Sequence, residues 1–187
     1  MKKAILSTLL LSCALIGNAQ ADNHSVSIGY AQSKVQDFKN IRGVNLQYRY
    51  EFDAPVSLLG SFSYMKGDKS QKDHFYGHTI KDQVDTEYYS VLIGPAYRVN
   101  DYVSLYALGG MAHVKADGKS SWIWPNGVLA TEASVSKSST SFAYGAGVII
   151  NPIENVSINV GYEGTKADLA GGDYSINGFN IGVGYRF

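Results

Sequence analysis

The chain has 187 residues, and its 16 Lys+Arg balance 16 Asp+Glu to a formal net charge of zero, which removes the basic footprint of a nucleic-acid binder. Charged residues make up only 17 %, while 14 Tyr and 20 Gly accompany 45 % hydrophobic residues. That mixture lies outside ordinary globular usage and favours β structure rich in aromatics.

The first element is a leader. Lys2 and Lys3 precede an apolar run over residues 4–17, and Ala19-Gln20-Ala21 supplies small residues two apart. This is the layout of a secretory signal peptide over residues 1–21, cleaved before Asp22 to leave one domain of residues 22–187. The run is too short for a spanning helix, and no later stretch reaches 18 consecutive apolar residues. Cys13, the sole cysteine, sits inside the leader. The apolar run continues past it through Ala14-Leu15-Ile16, which argues against lipid attachment at Leu10-Leu11-Ser12-Cys13. The mature chain then carries no thiol or disulfide chemistry in an oxidising compartment.

From there the chain alternates with period two. Val26, Ile28 and Tyr30 mark a first strand. In the second, Val44, Leu46, Tyr48, Tyr50 and Phe52 alternate with Asn45, Gln47, Arg49 and Glu51. Val56, Leu58, Phe62 and Tyr64 follow, then Tyr89, Val91, Ile93, Tyr97 and Val99. Over residues 103–114 apolar residues occupy both phases, with Tyr106 and Leu108 contesting Leu105 and Ala107. Phe142, Tyr144, Ala146, Val148 and Ile150 form a sixth strand, Val156, Ile158, Val160 and Tyr162 a seventh, and Phe179, Ile181, Val183, Tyr185 and Phe187 an eighth. These strands run about 9 to 13 residues, against a globular mean of about 5 to 6, and match the 9 to 11 of a tilted membrane-crossing strand.

Connections alternate in length. Residues 53–55, 100–102 and 151–155 are short turns, whereas 34–40, 67–85, 115–137 and 166–173 are long loops. An even strand count with this alternation predicts an all-β, eight-stranded antiparallel up-and-down transmembrane β-barrel with short periplasmic turns and four extracellular loops. A lipocalin-like soluble barrel with its apolar face inward is the competing reading. Against it, the polar face is mainly Ser, Gly, Asn and Gln, and all ten lysines of residues 22–187 fall in the loops or at their rims. A lysine at mid-membrane costs about 2 to 4 kcal/mol.

Two segments carry a family resemblance. Gly43-Val44-Asn45-Leu46-Gln47-Tyr48-Arg49-Tyr50-Glu51 and Phe179-Asn180-Ile181-Gly182-Val183-Gly184-Tyr185-Arg186-Phe187 look like the signatures of the enterobacterial Ail/Lom/outer membrane protein X family. Gly94-Pro95-Ala96-Tyr97-Arg98, Tyr144-Gly145-Ala146-Gly147 and Asn151-Pro152-Ile153-Glu154-Asn155-Val156 are similar too, so that the resemblance covers most of the mature chain outside the long loops. Gln47 departs from it, because the family usually has an inward Lys there. The resemblance implies a small outer-membrane barrel, some members of which promote attachment, invasion, complement resistance or survival in phagocytes, roles attributed to loops. It also implies that Tyr185 and Phe187 form the C-terminal signal read by the outer-membrane insertion machinery.

The chemistry on offer is modest. An eight-stranded barrel is just wide enough to be filled by its own side chains. The inward charges Arg49, Glu51, Arg98, Glu163 and Arg186 are expected to pair as an interior network. His74 and His78, with Asp73 and Asp82, have a helical ligand spacing in a stretch that is not helical, so neither metal nor cofactor is expected. His24 and His113 stand in no local catalytic motif, and the chain is not expected to be an enzyme. Phe75, Tyr76, Trp122 and Trp124 place large aromatics on segments that project into the medium, and are the expected contacts for a host cell-surface, matrix or serum protein. Packing of the two loops on each other, or extension of the strands as a protruding sheet, competes with that reading, and both can hold, because an exposed sheet edge can itself pair with another protein's strand. The expected function is therefore that of a virulence-type surface protein among outer-membrane lipid and lipopolysaccharide. The alternatives are a structural barrel without a receptor and, third, a lipid-modifying enzyme.

Overall fold

A computed structural model describes residues 23–36, 40–75, 78–123, 129–169 and 172–187, with backbone alone at 71–75, 78–80, 122–123, 129–130, 132, 168–169 and 173. The leader and cleavage site expected over residues 1–22 lie outside the described residues. Among the described residues, eight strands close a barrel in sequence order: β1 (His24–Val35), β2 (Asn40–Glu51), β3 (Val56–Phe75), β4 (His78–Asn100), β5 (Val103–Ile123), β6 (Leu129–Ile153), β7 (Val156–Leu169) and β8 (Gly172–Arg186). Each pairs antiparallel with its neighbour, and β1 meets β8 from Ser25↔Arg186 to Val35↔Ile176. Closure leaves no unpaired edge in the lipid, where no water can satisfy one.

The alternating pattern decides the faces. Ile28, Leu46, Leu58, Val91, Ile93, Phe142, Val160 and Val183 point out, exposed on the isolated chain, while Ile41, Leu59, Met65, Leu92 and Ile176 are buried inside. The ambiguous fifth strand resolves with Leu105 and Met111 outward and Tyr106 and Leu108 inward. The inward Tyr106 is accommodated by glycine on the next two strands, because its hydroxyl occupies the space a Cβ of Gly147 or Gly161 would take.

The second and third short turns are tighter than the sequence reading, while the first spans residues 52–55. Asn100 Oδ1 accepts from the backbone N–H groups of Tyr102 and Val103 at 2.9 and 2.8 Å, leaving only two residues between β4 and β5. The β6–β7 register shifts between Ile150 and Ile153, around Pro152, which has no N–H to give a ladder.

The second, third and fourth long loops need correction: residues 166–169 and 172–173 are strand, with β7 pairing β8 from Lys166↔Ser175 to Leu169↔Gly172. Residues 67–85 and 115–137 are not loops: β3 pairs with β4 out to Phe75↔His78, and β5 with β6 out to Ile123↔Leu129. Strands of 20 to 25 residues continue above the lipid as a four-stranded sheet. Both faces of that sheet meet water, so its side chains need not alternate, and the period-two signal ends while the hydrogen-bond ladder goes on.

Candidate functional site

In the lower lumen, near the short turns, one carboxylate gathers three guanidinium groups. Glu51, at the end of β2, receives Arg49 Nη1 on Oε1 at 3.4 Å and Arg186 Nη2 on Oε2 at 3.2 Å, and Arg98 Nη2 also bonds Oε2. Arg49 is braced further, donating from Nε to Ser57 Oγ at 2.8 Å and from Nη2 to Ser104 Oγ at 3.1 Å. Inward parity and a common height on β2, β4 and β8 bring these side chains together. Every Arg49 side-chain nitrogen is engaged, so this arginine knits strands, while Glu51, Arg98 and Arg186 also border an open mouth beside the short turns.

Glu163 is inward too but stands apart from the arginines. It accepts from Tyr88 OH at 2.5 Å and Ser63 Oγ at 2.9 Å, and Asn45 Nδ2 donates to Ser63 and Ser61 at 3.0 and 2.8 Å. Asn45, Ser63 and Tyr88 were legible only as inward-facing positions; which of them would meet across the lumen was not.

The upper border of the lipid band can be read across strands. Val44, Tyr64, Tyr89, His113 and Thr140 stand opposite one another, with Tyr64 and Tyr89 rings 4.8 Å apart and His113 Nδ1 2.8 Å from Thr140 Oγ1. One row higher come Arg42, Lys66, Glu87, Lys115 and Ser138, and the next row contains Asp68, Asp85, Asp117 and Ser136. Lys66 Nζ bonds Glu87 Oε1 at 2.6 Å, which raises the lysine above its ordinary range and lowers the carboxyl below its own. Hydrogen bonding from Ser136, then Lys115, lowers Asp117.

Above these rows the sheet has two bare edges. Among the described residues, β2 pairs with β3 only as far as Lys66 and β7 pairs with β6 only below Phe142, whose carbonyl accepts from Thr165 Oγ1 at 2.7 Å, so that 67–75 and 129–141 have no strand partner on one side. In sequence, residues 67–75 carry the charges Asp68, Lys69, Lys72 and Asp73, whereas 129–142 carry Glu132 and Lys137 and no proline. Tyr76 and Trp124 lie outside the described residues, as do the side chains of Phe75, Trp122, His74 and His78. At the opposite end Phe187 closes the seam, its N–H donating to the His24 carbonyl at 2.9 Å and its ring stacked 6.1 Å from that of His24. Tyr185, two residues back, points outward.

The enterobacterial Ail/Lom protein family matches residues 1–187. The chain is 48 % identical over 191 residues to the virulence membrane protein PagC of Salmonella typhimurium, and 40 % over 195 residues to the attachment invasion locus protein of Yersinia enterocolitica. Both comparisons span the whole of each chain. The crystal structure of Ail of Yersinia pestis in complex with the heparin analogue sucrose octasulfate is 39 % identical. It covers 90 % of this chain and 100 % of that one, with a TM-score of 0.66.

Proposed function

The chain belongs to the enterobacterial Ail/Lom family, and on that premise we propose that it is a virulence-type surface protein whose protruding sheet engages host-cell, matrix or serum proteins. Adhesion, invasion, complement resistance and intracellular survival are the processes such contact serves. The observation that carries this reading is the pair of unpaired edges, above all residues 129–141 of β6. An exposed, weakly guarded edge is a template on which an extended segment of another protein can add a strand. Phe75, Tyr76, Trp122 and Trp124 lie near the hairpin tips in sequence and would anchor such a partner, since Trp and Tyr dominate interface energies.

The outward row of Arg42, Lys66 and Lys115, directly above the lipid border, supports contact with the anionic headgroups of lipopolysaccharide. Polyanionic binding in the Yersinia pestis relative fits a surface that sets basic side chains at this height. Tyr185 and Phe187 are proposed as the signal for the insertion machinery. Deleting Phe187 is expected to lower the heat-modifiable, folded fraction in outer membranes.

The test is binding of purified, refolded barrel to host cells and to a panel of matrix and serum proteins, with residues 68–85 and 116–137 intact or replaced by two-residue turns. Loss of binding in the shortened barrel, and its reduction by Trp122→Ala with Trp124→Ala, is the expected result. Equal binding by both barrels refutes the reading and leaves a structural barrel without a receptor.

A further inference from the structure

The lumen divides into two chemically different halves. Toward the extracellular side its lining includes Ile41, Met65, Ala112, Val114 and Ile176, each at most 2 % exposed. Toward the periplasmic side Ser, Asn, Gln and Arg predominate, with Leu59 and Ile149 set among them. Between the halves runs the bonded bridge of Asn45, Ser63, Tyr88 and Glu163, which crosses from β2, β3 and β4 to β7.

Below that bridge lies a cavity of about 10 Å³, lined by Ser27, Gln47, Arg49, Asn151, Ser157 and Asn159 among others. Gln47 and Asn159 are each 4 % exposed, and Gln47 Nε2, Gln47 Oε1 and Asn159 Oδ1 have no hydrogen-bond partner in the protein. The lining chemistry selects the occupant. No carboxylate borders the cavity, which disfavours a cation. The one cation there, Arg49, has all three nitrogens committed to Ser57, Ser104 and Glu51, which disfavours an anion. What remains is a donor and two acceptors in a space of one water molecule, and water supplies both complements. Asn151 also borders the open mouth of about 870 Å³ framed by Glu51, Arg98, Asp101 and Arg186, so the two spaces share a wall.

We propose that the cavity at Gln47 and Asn159 is an ordered-water site filled from the periplasmic mouth, and that the lumen is a blind well, wet below the Glu163 bridge and dry above it. The barrel thus exchanges water with one compartment and passes nothing to the other.

Water-to-protein cross-relaxation in the folded, isotopically labelled barrel in bicelles tests this. Cross-peaks are expected at the side-chain amides of Gln47 and Asn159, and none at the methyls of Met65, Val114 and Ile176. Asn159→Leu should abolish the Gln47 cross-peak. Absence of water signals at Gln47 and Asn159 in the parent overturns the site. Signals that extend to Val114 and Ile176 overturn the blind end, and an undiminished Gln47 signal in Asn159→Leu places the water elsewhere and overturns the assignment.

Discussion

The same four strands, β3 to β6, live in two solvents. In the lipid band they belong to a closed barrel with every edge paired. Above Lys66 and Phe142 they form an open sheet with two bare edges. In hydrocarbon an unpaired N–H or C=O has no partner at all, whereas above the membrane water can supply one. The side chains follow the same boundary. Outward Phe62, Tyr64, Val91 and Met111 give way within a row or two to Lys66, Asp68, Glu87 and Lys115. Closure is thus imposed by the bilayer, while the open sheet leaves its edge groups to water.

The contrast predicts that like substitutions have unlike costs in the two regions. The largest difference concerns carboxylates. Glu51→Ala removes the hub of three arginines, with the carboxylate side chain only 4 % exposed, and should cost about 3 to 5 kcal/mol in urea unfolding. Asp85→Ala on the open sheet should stay within about 0.5 kcal/mol. Comparable midpoints for the two variants would mean that water screens the lower lumen.

Next comes charge on the outer face. Ile93→Lys, at a lipid-facing position further into the band, should cost about 2 to 4 kcal/mol. Val135→Lys, equally exposed but above the lipid, should be nearly neutral. An equal loss in lipid vesicles would mean that the sheet dips into the bilayer.

Glycines give a smaller effect of the same sign. A Cβ at Gly161 meets the Tyr106 hydroxyl and lies 2.8 Å from Asn180 Oδ1, so Gly161→Ala should cost about 1 to 3 kcal/mol by overpacking. At Gly118 the nearest atom is the Val135 carbonyl oxygen at 3.8 Å, and alanine should be tolerated. Thermal midpoints in detergent separate the two cases.

The smallest effect lies on the boundary itself. Glu87 is held below the ordinary carboxylate range by the hydrogen bond from Lys66, so its contribution exists above that range and is lost as pH falls through its lowered value. Lys66 is held above its ordinary range, so its share exists below that range and is lost only as pH rises through the raised value. The small gap in thermal midpoint between parent and Glu87→Gln should therefore be widest near neutrality, shrink only below the ordinary carboxylate range, and vanish in stronger acid. A gap that persists in strong acid would assign the stability to packing instead of the ion pair.

Much of the barrel was legible because a half-buried strand writes its faces into alternate residues. Residues 44–52 show this without an interruption, and β1, β2, β7 and β8 follow the same rule. The interior charges were legible as inward positions by the same parity. Their grouping was less so: Arg49, Arg98 and Arg186 share a height with Glu51, while Glu163 sits higher and bonds Tyr88 and Ser63. Parity gives a face and not the partner across a lumen.

By itself the sequence determined the strand number, the up-and-down order, the lipid face and the compartments of the short and long connections, because each follows from solvent contact along one strand at a time. Only the tertiary structure decided three further matters. Closure fixed β5 with Tyr106 inward, because the hydroxyl needs the glycines of two neighbouring strands. Pairing carried residues 67–75 and 78–85 onward as a sheet, and 115–123 with 129–137 likewise, since a ladder is held by backbone groups that composition does not encode. Lumen packing gathered three arginines on Glu51 and left Gln47 without a protein partner, because which side chains meet across a barrel depends on the heights of strands far apart in the chain.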